Sequence, residues 1–471
     1  MNYQKQCLKY LFLFLFAIGM SLNLDGQAPG GVKNPVLWEK TWEANSQDEH
    51  GSALFNYHPY KFFTEDRGYS ELPISGLKKM SLFVVFSSDN PTEIGRIQTG
   101  SSEVVLTDTT VVSRRSIKYK KLLKPKFISY IESFPGGSIA TTDQPHFLVG
   151  SKKINDEWYQ GGIAEVIMYD RLISKSQRLK VESYLSLKYG ISLPDSSSYY
   201  RSDGTVIREG SSLNRYKHNL TGIGRDDASG LYQKQSHNLY SDVDLTIGIG
   251  QLGEMNRKNA GAFKNHNYLL WSDDDGAAKF ESKETSVLSR TELSRKWEIN
   301  SIGDNMQEIP MTVQLSLANI IDYNPDQKLW LVVSDSDVGI YEDSATEYFE
   351  MKKGKYGLSA EGVLFDKNGS GTDYITFVQM AEEKTDTRNL GSDILYPNPV
   401  GTNSDFILSL SDYNEENLTV SIYDALGQLV RQQNYDTGKS FIYTDKLKLP
   451  GTYLLKVEGD KTNDSYKLIV Q

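Results

Sequence analysis

The chain has 471 residues, 51 Lys and Arg against 61 Asp and Glu, and a formal net charge of −10. That balance argues against nonspecific nucleic-acid binding, which needs a basic surface, and the length allows two to four domains with cores of their own. Cys7 is the single cysteine, so beyond the leader no disulfide, thiol chemistry or cysteine metal site is expected.

Residues 1–26 combine a short basic start (Lys5, Lys9), an apolar run at 10–22 and a polar end. This pattern reads as a secretory signal peptide, too short for a comfortable membrane span, with cleavage expected near Gly26 and Gln27. Cys7 precedes the apolar run, whereas a lipid-anchored cysteine follows it. Residues 32–195 alternate short strand-like runs (36–38, 53–57, 82–86, 104–106, 127–131, 147–149) with turns, as a β-sandwich or jelly roll does. The region closes on GGIAEVIMYDRLISKSQRLKVESYLSLKYGISL at 161–193. Ile163, Val166 and Ile167 predict a strand over 163–169. Ser174 is an N-cap with Gln177 placed as its reciprocal partner. Val181, Tyr184, Leu185 and the stem of Lys188 share one helical face, and Gly190 ends the helix. Taken plainly, this is scaffold, a strand and the helix that covers its sheet's edge.

Gly162, residues 163–167, Tyr169, Arg171, Ser174 and residues 184–191 resemble the closing segment of the laminin-G/concanavalin-like domains of secreted Bacteroidetes proteins. There, G-x-IAEVI-x-Y-x-R-x-L-S precedes a helix ending in YL-x-LKYGI. Phe55-Asn56-Tyr57-His58-Pro59 is similar to an N-F/Y-x-P stretch early in the same family. The opening, Leu37-Trp38-Glu39-Lys40-Thr41, departs from the usual LW-x-KAD and points to a diverged first strand. Residues 221–227 (TGIGRDD) and 231–236 (LYQKQS) resemble the GIGRDD…L-x-QKQS signature that follows the concanavalin-like part, and Lys296-Trp297-Glu298 fits a strand of the same region. The resemblance implies a concanavalin-like jelly roll with a C-terminal helix at 32–195 and a second β-sandwich at 196–380. It implies architecture more than activity.

Gly248, Gly250 and Gly253 have dinucleotide-fingerprint spacing, but no apolar helical face follows, so they read as a loop. Asp273 and Asp275, with Asp274 and Gly276, form the leading calcium candidate, because close carboxylates at a glycine turn supply hard oxygen ligands. Asp226 and Asp227 are a second pair, with Arg225 beside them. The six histidines are scattered, and neither H-E-x-x-H nor G-x-S-x-G occurs. No strand places paired carboxylates in the manner of a glycosidase, so no enzyme is expected. Trp158 and Tyr159 fall in the turn before the closing strand and are candidate glycan-stacking residues, with Trp38 and Trp42 as further aromatics; core packing is their commoner fate.

Residues 381–393 are polar and aperiodic and read as a linker. Within 394–471, Val420 and Ile422 alternate with Ser421 and Tyr423 as in a one-sided strand. Residues 424–427 have turn chemistry, and Pro397 and Pro399 suit an edge segment. Tyr396-Pro397-Asn398-Pro399, VSIYDALGQLV around Gly427, LPGTYLLKV with Gly451 and Tyr453, and a terminal KLIV beginning at Lys467 resemble the type A C-terminal sorting domain of the type IX secretion system. That resemblance implies a small immunoglobulin-like β-sandwich, export by the type IX machinery, removal by its C-terminal signal peptidase and attachment to surface lipopolysaccharide. The expected whole is an all-β, secreted or surface-displayed, noncatalytic binding or adhesion protein for a glycan or protein ligand. A structural surface component and a polysaccharide hydrolase are its alternatives.

Overall fold

The structure is a computed structural model that describes residues 26–40, 54–64, 70–74, 79–88, 93–99, 102–107, 109–112, 116–118, 126–133, 146–150, 159–211, 213–284, 289–337, 346–354, 357–381, 395–410, 413, 417–436, 442–460 and 462–471. The expected signal peptide (all but Gly26), the linker (all but Ala381), Trp42 and Trp158 lie outside these residues. The fold is all-β in antiparallel sheets, with the single long helix Lys175–Tyr189 among the described residues. None of the described helices is long and apolar enough to cross a membrane.

The first sandwich is built around two strands that read as mainly apolar without alternation, Lys79–Phe86 and Gly161–Tyr169, with Ser81 and Glu165 as their buried polar members. They pair antiparallel with Val84 opposite Val166, and Lys126–Ser133 and Leu37–Glu39 flank them. A continuous run, rather than an alternating one, is what a strand buried on both faces requires. One face (Met80, Leu82, Val84, Phe86) packs on Ile94, Ile97, Leu106 and Phe147 of a six-stranded sheet. The opposite face (Phe83, Val85, Ile167, Tyr169) packs on the helix and on Leu220, Tyr268 and Leu270 of the second region. Each such side chain stabilises the fold by about 1.5–3 kcal/mol.

The second region is a nine-stranded sheet facing a five-stranded one. Its strand Tyr268–Asp273 is likewise buried throughout: Leu269 and Trp271 enter the second sandwich's own core, and Tyr268 and Leu270 enter the shared core with the helix. The helix therefore lies between two sandwiches, and not over a sheet edge as the sequence led us to expect. Its caps match expectation. Ser174 accepts from the Gln177 N–H while Gln177 reaches back to the Ser174 N–H, and Gly190 adopts φ 62°. A Cβ on Gly190 would stand 2.1 Å from the His237 carbonyl oxygen, so only glycine fits that close approach. Buried positions surround the second half of the helix, from Ser183 to Tyr189, because both sandwiches press on it.

Residues 28–32, which directly follow the expected cleavage point, fold into the same joint. The Ala28 N–H donates to the Ala228 carbonyl at 3.0 Å, and Val32 is buried in the shared core.

The C-terminal unit has a three-stranded and a four-stranded sheet around Phe406, Val420, Ile422, Tyr443, Leu455 and Leu468. Val420 and Ile422 point inward, as their alternation predicts. The Asp424–Gly427 turn forms with Gly427 at φ 77°, and Asp424 Oδ1 accepts from the Leu426 and Gln428 N–H groups, each at 2.9 Å.

Candidate functional site

Glu165, fully buried on the closing strand, gathers four donor groups. Trp38 Nε1–H donates to Oε1 at 2.6 Å and Tyr189 O–H to Oε2 at 2.8 Å. Tyr184 O–H donates to Oε1 at 2.9 Å, and Lys188 Nζ to Oε2 at 2.9 Å. The last is an ion pair with both side chains buried. Burying a carboxylate is costly unless it is paired and hydrogen-bonded, and here both oxygens are filled by donors from the first strand and the helix. A carboxylate so occupied holds elements together and has no acceptor capacity left for a substrate. Sequence reading placed Lys188 by its stem and did not see this pair, because its members come from separate elements.

The other motif residues meet beside it. Asn56, at φ 47°, donates to the Lys188 carbonyl at 3.1 Å and to Ser236 Oγ at 2.9 Å, and its Oδ1 accepts from the His237 N–H at 2.9 Å. His58 Nε2 lies 2.7 Å from Gln233 Oε1, and the Gln233 amide donates to the Gln235 carbonyl at 2.8 Å. The FNYHP, LKYG and QKQS stretches thus interlock at one joint between the sandwiches.

The predicted calcium residues are placed otherwise than expected. Asp273 is buried: its Oδ2 accepts from Asn219 Nδ2 at 2.9 Å and its Oδ1 from the Asp275 N–H at 3.0 Å. Burial raises its pKa, and the Asn219 hydrogen bond partly offsets that. Asp274 Oδ1 accepts the Gly276 and Lys296 N–H groups, while the Asp275 side chain is exposed. The buried Arg295 guanidinium stands 3.7 Å from Asp273 and 3.9 Å from Asp275 and bonds to Asp242. Arginine is the cation of this cluster. Among the described residues no group of three or more His, Asp or Glu side chains is arranged to hold a metal ion. Asp273 and Asp275, the expected calcium ligands, thus stand in a turn in which Asn219, the Asp275 N–H and the nearby Arg295 guanidinium face the carboxylates. Asp226 is also engaged, accepting from the Ser202 N–H and hydroxyl and from the Tyr268 hydroxyl.

Tyr159 is corrected too. It is buried, and its hydroxyl donates toward the Ser87 carbonyl at 2.6 Å, so it packs inside and cannot stack on a sugar. Trp38 points to Glu165. Gly253 is clasped by the Gln235 side chain, through its N–H at 2.7 Å and its carbonyl at 2.6 Å, in a loop without an α-helix, as the fingerprint's context predicted.

Two of the concavities among the described residues are roomy and carry polar groups. A groove of about 670 Å³ is lined by residues 31–36, Asp170, Arg171, Gln177 and Lys180. A smaller cavity of about 240 Å³ is lined by Asp335, Glu347, Lys367, Asn368 and Asp373 among others. Burial pushes the Asp373 carboxyl up to about 7, with the negative Asp335, Asp366 and Glu347 adding to the effect and the Asp366 N–H opposing it.

In the C-terminal unit, Leu395–Tyr396 is a two-residue edge strand, and the peptide bonds before Pro397 and Pro399 are cis. The Asn398 side chain pairs with the last strand: Nδ2 donates to the Lys467 carbonyl at 2.5 Å and Oδ1 accepts from the Ile469 N–H at 2.9 Å. Tyr453 is buried with its hydroxyl on the Leu449 carbonyl, and Lys467 is exposed.

Comparison with known proteins agrees with this unit. Residues 394–471 match the family model described as a secretion system C-terminal sorting domain, and residues 177–370, starting within the helix, match a domain of unknown function (DUF8202). The chain carries a sorting domain of the type IX secretion system, which directs export to the cell surface or extracellular space. No curated protein matches the chain. Among solved structures, domain 4 of the extracellular arabinanase AbnA from Geobacillus stearothermophilus is 12% identical, with TM-score 0.22 over 32% of this chain and 97% of that one. Botulinum neurotoxin type C is 9% identical, with TM-score 0.22 over 87% and 83%. The K499G mutant of NanB sialidase from Streptococcus pneumoniae is 11% identical, with TM-score 0.17 over 85% and 82%. Likenesses this shallow carry no argument about activity.

Proposed function

We propose that this is a noncatalytic binding protein displayed at the cell surface, whose two joined sandwiches present a face for glycans while the sorting domain serves export. The observation that carries the reading is the sorting domain attached to a body made of two sandwiches locked through Glu165 and Asn56. A locked body of this kind suits a protein that must hold a surface in fixed shape outside the cell. The sorting domain is removed by the C-terminal signal peptidase of the export machinery and the body is attached to lipopolysaccharide. Glycan-array binding by the purified full chain tests the reading; reproducible binding to a defined glycan class supports it, and an empty array refutes it. The cavity at Asp373 favours hydrolysis as a second reading, because a carboxyl held protonated near neutrality beside a second carboxylate is the general-acid arrangement. Release of reducing ends from polysaccharide, abolished by Asp373→Asn, would replace the first reading by the second.

A further inference from the structure

The large groove differs from the rest of the molecule in charge. The chain is acidic overall, yet this groove is lined by Lys33, Arg171 and Lys180 against one carboxylate, Asp170. Its hydrogen-bonding groups are also one-sided. Arg171 clasps the Lys33 and Asn34 carbonyls, through Nη2 and, at 2.9 Å, Nη1, so those acceptors are already filled. Gln177 spends its Oε1 on the Ser174 N–H, which leaves its amide N–H₂ as the group to offer. Lys33 is exposed, and among the described residues neither its ammonium nor the N–H groups of Lys33 and Asn34 have a partner. What remains, beside the single Asp170 carboxylate, is a surplus of donors and positive charge, with Lys180 steadied on the Ser202 carbonyl at 2.7 Å. Such a floor repels a cation and gains little from a neutral sugar, whose hydroxyls need acceptors as well as donors. It suits an anion with several oxygens, since charge-assisted hydrogen bonds are the stronger kind.

We infer that this groove binds acidic oligosaccharide, through the carboxylate or sulfate groups of its sugars, with Lys33 as a direct contact and Arg171 as the residue that shapes the floor. The inference rests on the glycan-binding reading and names the ligand class. The Lys33 side chain is exposed and has no hydrogen-bond or ion-pair partner among the described residues, and only its backbone carbonyl is bonded to Arg171, so replacing the side chain is expected to leave the fold intact.

The test uses the full chain, its Lys33→Glu variant and, as a control of equal charge change, Lys264→Glu, an exposed residue remote in sequence from the groove. Oligogalacturonate supplies carboxylates, dextran sulfate supplies sulfates, and unmodified dextran is the neutral arm. Binding is followed by calorimetry at two salt concentrations. The expected result is binding to one or both acidic probes, weakened roughly tenfold by Lys33→Glu, the loss of about one charge-assisted contact, and little changed by Lys264→Glu. The arm that binds identifies the anion. Equal weakening by the two variants would overturn the inference, since general charge would then account for binding. Binding to neutral glycans on an array with none to either acidic probe would also overturn it while leaving the broader reading intact. An empty array together with no acidic binding would remove both.

Discussion

Replacing Glu165 by Gln should destabilise the joined sandwiches severely, because the carboxylate is the acceptor for a buried lysine and three neutral donors at once. Glutamine keeps one acceptor oxygen, enough for Trp38 or Tyr184, but turns an N–H₂ toward Lys188 and Tyr189, which are donors themselves. Lys188 is then a buried charge with no counter-ion, and breaking a buried pair from one side costs about 3–5 kcal/mol. Lys188→Met removes the cation instead, leaving the carboxylate three neutral hydrogen bonds, and should cost less, about 2–3 kcal/mol. In the double variant no charge is stranded, so its cost should fall short of the sum of the two by at least ~1 kcal/mol. Guanidinium unfolding of the full chain, followed by near-ultraviolet circular dichroism, measures all three. A Glu165→Gln loss below ~1 kcal/mol, or strict additivity in the double variant, would show that the cluster does not hold the joint and that the argument from desolvation fails here.

Asp373 makes stability pH-dependent. Its folded pKa of about 7 lies above the ordinary carboxyl value, so the folded state holds the proton more tightly. The resulting stabilisation is complete below pH ~4, is lost as pH rises through 7, and amounts to at most ~4 kcal/mol. Asp373→Asn keeps an acceptor for the Asp366 N–H and should raise the melting temperature at pH 8 relative to wild type, with a much smaller effect at pH 4; a pH-independent difference would contradict the assignment. At the acidic turn, Arg295 is the cation, so adding calcium or chelator should leave the melting temperature unchanged, whereas Arg295→Met should lower stability by about 3–5 kcal/mol by stranding Asp273. A calcium-dependent rise of several degrees in wild type would reinstate the metal. In the sorting domain, Asn398→Ala leaves the Ile469 N–H without its side-chain acceptor and should cost about 1–2 kcal/mol. Faster hydrogen exchange at the Ile469 amide is the readout, and unchanged protection there would refute it.

What the sequence disclosed was local in origin. Ser174, Gln177 and Gly190 act on their own backbone neighbours, so the helix ends could be placed from spacing alone, and the Asp424–Gly427 turn likewise. The Glu165 cluster escaped because its donors arrive from Trp38, far earlier in the chain, and from a helix whose own periodicity marks Lys188 as a surface residue with a buried stem. The acidic turn at Asp273 misled for a similar reason: the guanidinium that neutralises it belongs to Arg295, on a neighbouring segment brought back by the sheet. Tyr159 was a candidate for an outward face because it lies in the turn before a strand, with core packing its commoner fate; its hydroxyl bonds the Ser87 carbonyl, and that contact keeps the aromatic inside. The place of the helix was readable in principle. Runs such as MSLFVVF and YLLW do not alternate, and strands without alternation have both faces covered.

The stretches that resemble known sequences converge on the joint and do not by themselves describe a binding face. Asn56, Glu165, Lys188, Gln233 and Ser236 are all buried, and their bonds run to one another, to other side chains of the joint such as Trp38 and His58, or to nearby backbone. Arg171 belongs to these stretches and also lines the groove, but its guanidinium is turned to two backbone carbonyls. Motifs of this kind specify how two sandwiches lock around a helix, and proteins sharing them would share the lock while differing in what they hold. In the proposed binding reading, ligand choice then falls to exposed residues outside the motifs, of which Lys33 is the clearest, since its side chain bears a full charge at the groove and has no polar partner among the described residues. An exchange of Lys33 for a neutral or acidic residue would thus alter binding without touching the architecture, and substitution at Glu165 would do the reverse.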